Sequence, residues 1–124
     1  MYLERHELEQ AEEIVAYRGG TLEGPPERSF PGIDGTLDEN PVSLKQYTGT
    51  SPVGVLTRAS QAESQARNAG YTGVELFIRA RNVRASTLLD FVRQGPLMNI
   101  PQQGTISAIN VDTADGWIRI PGGP

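Results

Sequence analysis

The chain has eleven Lys and Arg residues, and Lys45 is the one lysine among them. It stands in the run PVSLK, eleven positions after Asp34 in SFPGIDG. Gly32 and Gly35 flank that aspartate, so the backbone there can bend and approach another group closely. A carboxylate on one strand and an ammonium on its neighbour suit phosphodiester hydrolysis. The Asp, with a second carboxylate, can hold a hard divalent cation such as Mg²⁺ through oxygen ligands. The cation lowers the pKa of a bound water and offsets charge on the phosphate. The Lys ammonium can orient that water or stabilise the pentacovalent phosphate, as a point charge on a flexible stem. Composition alone fits equally well an ordinary sheet-edge lysine with an extended stem.

Other chemistries are harder to build. Cysteine is absent, which excludes disulfides, thiolate metal sites and Cys nucleophiles. The single histidine, His6, falls among Glu and Arg on an expected first helix and reads as a solvated residue. Triads and metal-free ribonuclease sites generally want a well-placed His, and catalytic zinc commonly wants several. The net charge of −4 argues against gripping nucleic acid by electrostatics alone. The arginines are unevenly spread, however: Arg58, Arg67, Arg79, Arg81, Arg84 and Arg93 share one stretch, while the acids crowd the first forty residues. That asymmetry fits either a basic strip beside an acidic pocket or a solvated surface. No apolar run is long enough to span a membrane, and MYLERHELEQ is not a signal peptide.

The elements that must position these residues follow from periodicity. Residues 3–18 read as a helix with Leu3, Leu8, Ala11, Ile14 and Val15 on one stripe, stopped by Gly19-Gly20. Residues 21–29 read as loop, with Pro25-Pro26 forbidding regular structure. Residues 30–37 and 42–48 read as a hairpin, with Val42, Leu44 and Gln46 on one face and Ser43, Lys45 and Tyr47 on the other. Ser51-Pro52 opens a second helix in N-cap then N1 order, running to about Ala69 on a stripe of Val55, Ala59, Ala62 and Ala66. Glu63 sits at the border of that stripe. Val74 to Ala80 is the best strand, residues 85–94 a third helix, and 105–111 and 116–120 two further strands joined by a turn at 112–115. The order α-β-β-α-β-α-β-β describes one α/β (α+β) domain, a mixed central sheet flanked by helices.

At the level of motifs, the spread Asp34…Ser43-Leu44-Lys45, after an acidic helix and before a helix and strand, resembles the PD-(D/E)xK restriction-endonuclease-like nucleases. More closely, RGGTLEG, SFPGIDG, PVSLK, RASQAESQARNAGYTGVELFI, GPLMNIPQQGTISAINV and DGWIRIP resemble the C-terminal toxin domains of bacterial polymorphic and contact-dependent growth inhibition systems. The resemblance covers roughly residues 10–122. It implies a metal-dependent nuclease delivered from the producing bacterium to degrade DNA or RNA in the target-cell cytoplasm, neutralised by a cognate immunity protein. Asp34 matches the metal-binding Asp and Lys45 the catalytic Lys. Ser43 departs from the pattern, because the family has Asp or Glu two residues before the Lys. The second carboxylate is then expected from Glu63 on the following helix, with Gln65 a weaker candidate and Glu75 the runner-up. The first-helix glutamate of these nucleases would be Glu12 or Glu7. Arg58, Arg79 and Arg81 are expected to contact phosphate and Tyr47 to contact substrate, while Trp117 reads as a sheet-face anchor. A non-catalytic module of nuclease-like fold and a metal-independent ribonuclease are the competing expectations, and tRNA, other RNA and DNA are all open as substrates.

Overall fold

The apolar spacing along the chain switches between a period near 3.6 and a period of 2, and the elements follow it. The computed structural model describes residues 5–23, 35–37, 40–93, 95, 100 and 104–121. They form α1 (Arg5–Arg18), β1 (Leu22–Glu23), β2 (Gly35–Leu37), β3 (Asn40–Gln46), α2 (Pro52–Asn68), β4 (Val74–Arg79), α3 (Ala85–Arg93), β5 (Ile106–Thr113) and β6 (Gly116–Pro121). The six strands make one mixed sheet in sequence order. β2 pairs antiparallel with both β1 and β3; β3, β4 and β5 are mutually parallel, and β6 returns antiparallel on β5. The mixed sheet flanked by helices is as expected, with one strand more. Leu22 and Glu23, in the stretch read as loop, pair with Leu37 and Thr36. Two residues are too few to show alternation, and they pair because β2 would otherwise present an open edge.

Local chemistry sets the helix that matters most for the site. The Ser51 side chain accepts a hydrogen bond from Val53 N at 3.2 Å, with Pro52 at the first helical position. That pairing satisfies one orphan amide and presets the helical φ. Gly70, at φ +85°, takes the left-handed turn after the helix end.

Both α2 and α3 join adjacent parallel strands advancing across the sheet in one direction. Right-handed crossovers therefore bring them to the same face. There Val55, Ala59, Ala62 and Ala66 of α2 and Leu88 of α3 share a core with Val74, Leu76 and Ile78 of β4 and with Ile109 and Val111 of β5. The second core lies on the other face, where Ile14 of α1 packs with Leu37, Val42, Leu44 and Phe77. Tyr17 of α1 stacks on Trp117 of β6 with ring centroids 4.4 Å apart, which places the Trp at the sheet face. Central strands covered on both faces lose simple alternation, and Leu76, Phe77 and Ile78 are all fully buried.

α1 is turned relative to the expected stripe. Ala11 and Ile14 are buried, but Val15 is exposed and Gln10 is buried in its place. The cause is the Gln10 amide, whose Nε2 donates to the main-chain carbonyls of Lys45 and Phe77, each at 3.2 Å. The side chains of Leu3 and Leu8 lie outside the described residues. β5 also runs two residues further than expected, to Thr113, so the hairpin turn shortens to Ala114-Asp115.

Candidate functional site around Lys45

Lys45 pairs in register with Ile78, and Ser43 with Leu76. Paired residues on neighbouring strands project to the same face, so Ser43 and Lys45 lie beneath α2. Ser43 is buried and Lys45 half-buried. The ammonium donates to Gln65 Oε1 at 2.8 Å. Two turns earlier on α2, Arg58 donates through Nε to the Gln46 carbonyl at 3.2 Å and through Nη1 to Gln61 Oε1 at 3.3 Å. Positions 58, 61 and 65 follow i, i+3, i+7 spacing, which is one helix face. Gln61 and Gln65 border a cavity of about 540 Å³ that Leu56, Thr57, Ser60 and Ser64 also line.

The charge balance singles out this place. Among the described residues, Arg18, Arg67, Arg79, Arg81, Arg84, Arg93 and Arg119 each form an ion pair with a carboxylate. Lys45 and Arg58 are the basic side chains among them whose hydrogen bonds go to neutral oxygens instead. Both belong to the contact between β3 and one flank of α2. An unmatched cation attracts an anion more strongly where water is partly excluded.

Placement of the other expected residues is mixed. Asp34 lies outside the described residues. Its chain neighbour Gly35 pairs with Val42 across the β2–β3 hairpin, on the strand that carries Lys45 three residues further on. Glu63 is buried on α2, and its carboxylate takes Arg67 Nη1 at 2.8 Å. It stands about 200° around the helix from Gln65, so the structure does not bring it to the ammonium. Gln65, the weaker of the two helix candidates, is the one in contact. Glu12 is exposed on α1, on the opposite face of the sheet from Lys45. The side chains of His6 and Glu7 lie outside the described residues. No group of three His, Cys, Asp or Glu among the described residues could hold a metal ion.

Arg79 and Arg81 do not present free charge. Arg79 pairs with Glu13 at 3.3 Å, and Arg81 pairs with Glu13 and Asp112, each at 2.9 Å. The hydrogen bond to Asp112 holds the Arg81 guanidinium above its ordinary pKa, against the smaller opposing effect of burial. Tyr47 packs against the α2-side core, and its hydroxyl accepts from Ser51 N at 3.3 Å. A Cβ at Gly49 or Gly54 would overlap its ring, so both positions need glycine for the ring to lie against the start of α2.

Glu75, the runner-up carboxylate, belongs to a structural cluster on the α1 face. Arg18 Nε and Arg119 Nη1 both donate to its Oε2 at 2.8 Å, as does Asn110 Nδ2. Burial by itself would raise its pKa, but these three donors together outweigh burial and hold the carboxyl below its ordinary range.

Gln61 and its bond to Arg58 were missed in reading the sequence. The signal was present as Arg58, Gln61 and Gln65 on one helix face, but nothing in the chain marks that face as the one beside Lys45. No protein-family model, no curated protein and no solved structure matches this chain.

Proposed function

We propose that this chain is a nuclease domain that hydrolyses phosphodiester bonds in RNA or DNA, with Lys45 as catalytic ammonium and Arg58 as a phosphate contact. The observation that carries the reading is the pair of cations with no carboxylate partner among the described residues, each held by a glutamine that borders one open cavity. Glutamine oxygens fix the direction of a cation without neutralising it. A phosphodiester supplies the missing negative charge. An ammonium already held in place by Gln65 stabilises the charge that builds on the phosphate oxygens in the transition state, with little reorganisation.

The hairpin supports Asp34 as the second participant, because Gly35 and Lys45 stand on paired strands. A divalent cation such as Mg²⁺, held through Asp34, would supply a bound water of lowered pKa. Gln65 orients Lys45 in this reading, and Ser43 adds a neutral oxygen on the same face. Neither Glu63 nor Glu12 is assigned to the metal.

The delivered-toxin context, with a cognate immunity protein, belongs to the same proposal. Purified protein incubated with DNA, total RNA and tRNA, with Mg²⁺ or with excess EDTA, provides the test. Cleavage of any of these by the wild type and its loss in Lys45→Ala support the reading. Cleavage that survives EDTA removes the metal from it. Absence of cleavage on every substrate, with Lys45→Ala as toxic in cells as the wild type, rejects it.

A further inference from the structure

We propose that the cavity at the carboxyl ends of β3 and β4 receives one unstacked nucleobase of a single-stranded substrate, beside the phosphate held by Lys45 and Arg58. For the phosphate this rests on the nuclease reading above. The cavity, of about 270 Å³, is lined by Gln46, Tyr47, Thr48, Arg79, Arg81 and Asn82. It lies outside the carboxyl ends of adjacent parallel strands, where open α/β sheets place their ligands. Its volume is roughly nine water molecules' worth of space, the scale of a base and far short of a duplex.

Its chemistry differs from that of the Lys45 site. Glu13 and Asp112 neutralise the two arginines, so they offer flat guanidinium surface more than net charge. Guanidinium planes stack on unpaired bases, and amide groups read base edges. Gln46 and Asn82 supply the amides. Asn82 spends one donor on the Thr48 carbonyl at 2.7 Å, which fixes its side chain at the cavity wall. The two sites adjoin: Gln46 follows Lys45 in the chain, and its carbonyl accepts from Arg58. A nucleotide with its phosphate at Arg58 therefore has this cavity as an adjoining recess.

The test separates base binding from cleavage. Anisotropy titrations of the Lys45→Ala protein use a labelled single-stranded octamer, the same strand with one abasic position walked along it, and the matching duplex. Saturation-transfer NMR on the wild type uses free nucleosides, which contain no phosphodiester. The expected result is binding of at least one nucleoside, and a loss of about tenfold for one abasic position and for the duplex. Gln46→Ala and Asn82→Ala should weaken binding to the intact strand and leave the abasic strand unaffected. Both side chains stand at the cavity surface, and melting curves check that each variant is folded. Equal affinity for intact and abasic strands, or equal losses on both in the variants, overturns the pocket even if the protein cleaves nucleic acid. Base-dependent binding by a protein that cleaves nothing upholds the pocket and removes the nuclease reading.

Discussion

At Lys45 and Arg58 the same kind of charge is handled differently from elsewhere in the molecule, since neutral side-chain and main-chain oxygens hold them while carboxylates hold the other described arginines. Under the nuclease proposal, replacing Lys45 by Ala is expected to lower kcat by about 10²–10³-fold, the range for removing one preorganised transition-state donor. The melting temperature should stay close to the wild type, because the side chain is only half-buried. Lys45→Arg should recover little, since a planar fork cannot take the place of a point ammonium on Gln65. Gln65→Ala removes the group that aims the ammonium and leaves the ammonium present. Its kcat should fall by less than that of Lys45→Ala, with KM nearly unchanged, as single-turnover and steady-state rates would show. A Gln65→Ala enzyme as inactive as Lys45→Ala, with normal folding, would give the glutamine a direct role in the chemistry.

The elements are held to each other by contacts of distinct kinds, and each predicts a different response. α1 is joined to the sheet by the Phe77 core and by the cluster in which Arg18 of α1, Asn110 of β5 and Arg119 of β6 meet Glu75 of β4. Phe77→Ala should cost about 3–5 kcal/mol in urea unfolding, because the ring is wholly buried between α1 and the sheet. Glu75 has a folded-state pKa below the ordinary value of 4.5, because the raising effect of burial is outweighed by Arg18, Arg119 and Asn110, which donate to its carboxylate. A depressed carboxylate contributes stability that is complete above the unfolded value and is lost as pH falls through the folded one. Stability should therefore decline on acidification below about pH 4.5, and Glu75→Gln should flatten that acid limb. Thermal melts across this range for both proteins would show it, and identical acid limbs would count against the cluster. At the start of α2, Gly54→Ala places a methyl group where the Tyr47 ring lies. The expected cost is about 1–3 kcal/mol of overpacking, measured by chemical denaturation, with a change in the shape of the cavity beside Tyr47.

For the whole molecule, the nuclease proposal combined with a net charge of −4, and with two cations unmatched among the described residues, predicts weak and local electrostatic binding of nucleic acid. Two phosphate contacts on a single strand give a slope of log K against log salt near −1.4, which is about −0.7 for each contact. A slope of −4 or steeper would mean that other arginines reach the backbone. Much of the architecture was legible in advance: the Ser51-Pro52 start of α2, the apolar run of β4 and the β2–β3 hairpin all depend on neighbouring residues, whose spacing the chain states directly. Lys45 and Arg58 also stood out, by type and by position. What the sequence could not show is which acid meets which base, because partners distant in the chain are selected by packing. Glu63 and Gln65 are two residues apart on one helix; Glu63 meets Arg67 one turn further along the same helix, and only the seating of α2 on β3 decided that Gln65 is the one facing the ammonium. In the same way, α1 settled with Gln10 under β3 and β4, where its amide donates to the main-chain carbonyls of Lys45 and Phe77, two partners that no spacing in the chain announces. Local order was thus set by the sequence itself. Which cations meet no carboxylate among the described residues was decided by the tertiary fold, because ion pairs between elements hold Arg18, Arg79, Arg81 and Arg119 while Lys45 and Arg58 meet neutral oxygens.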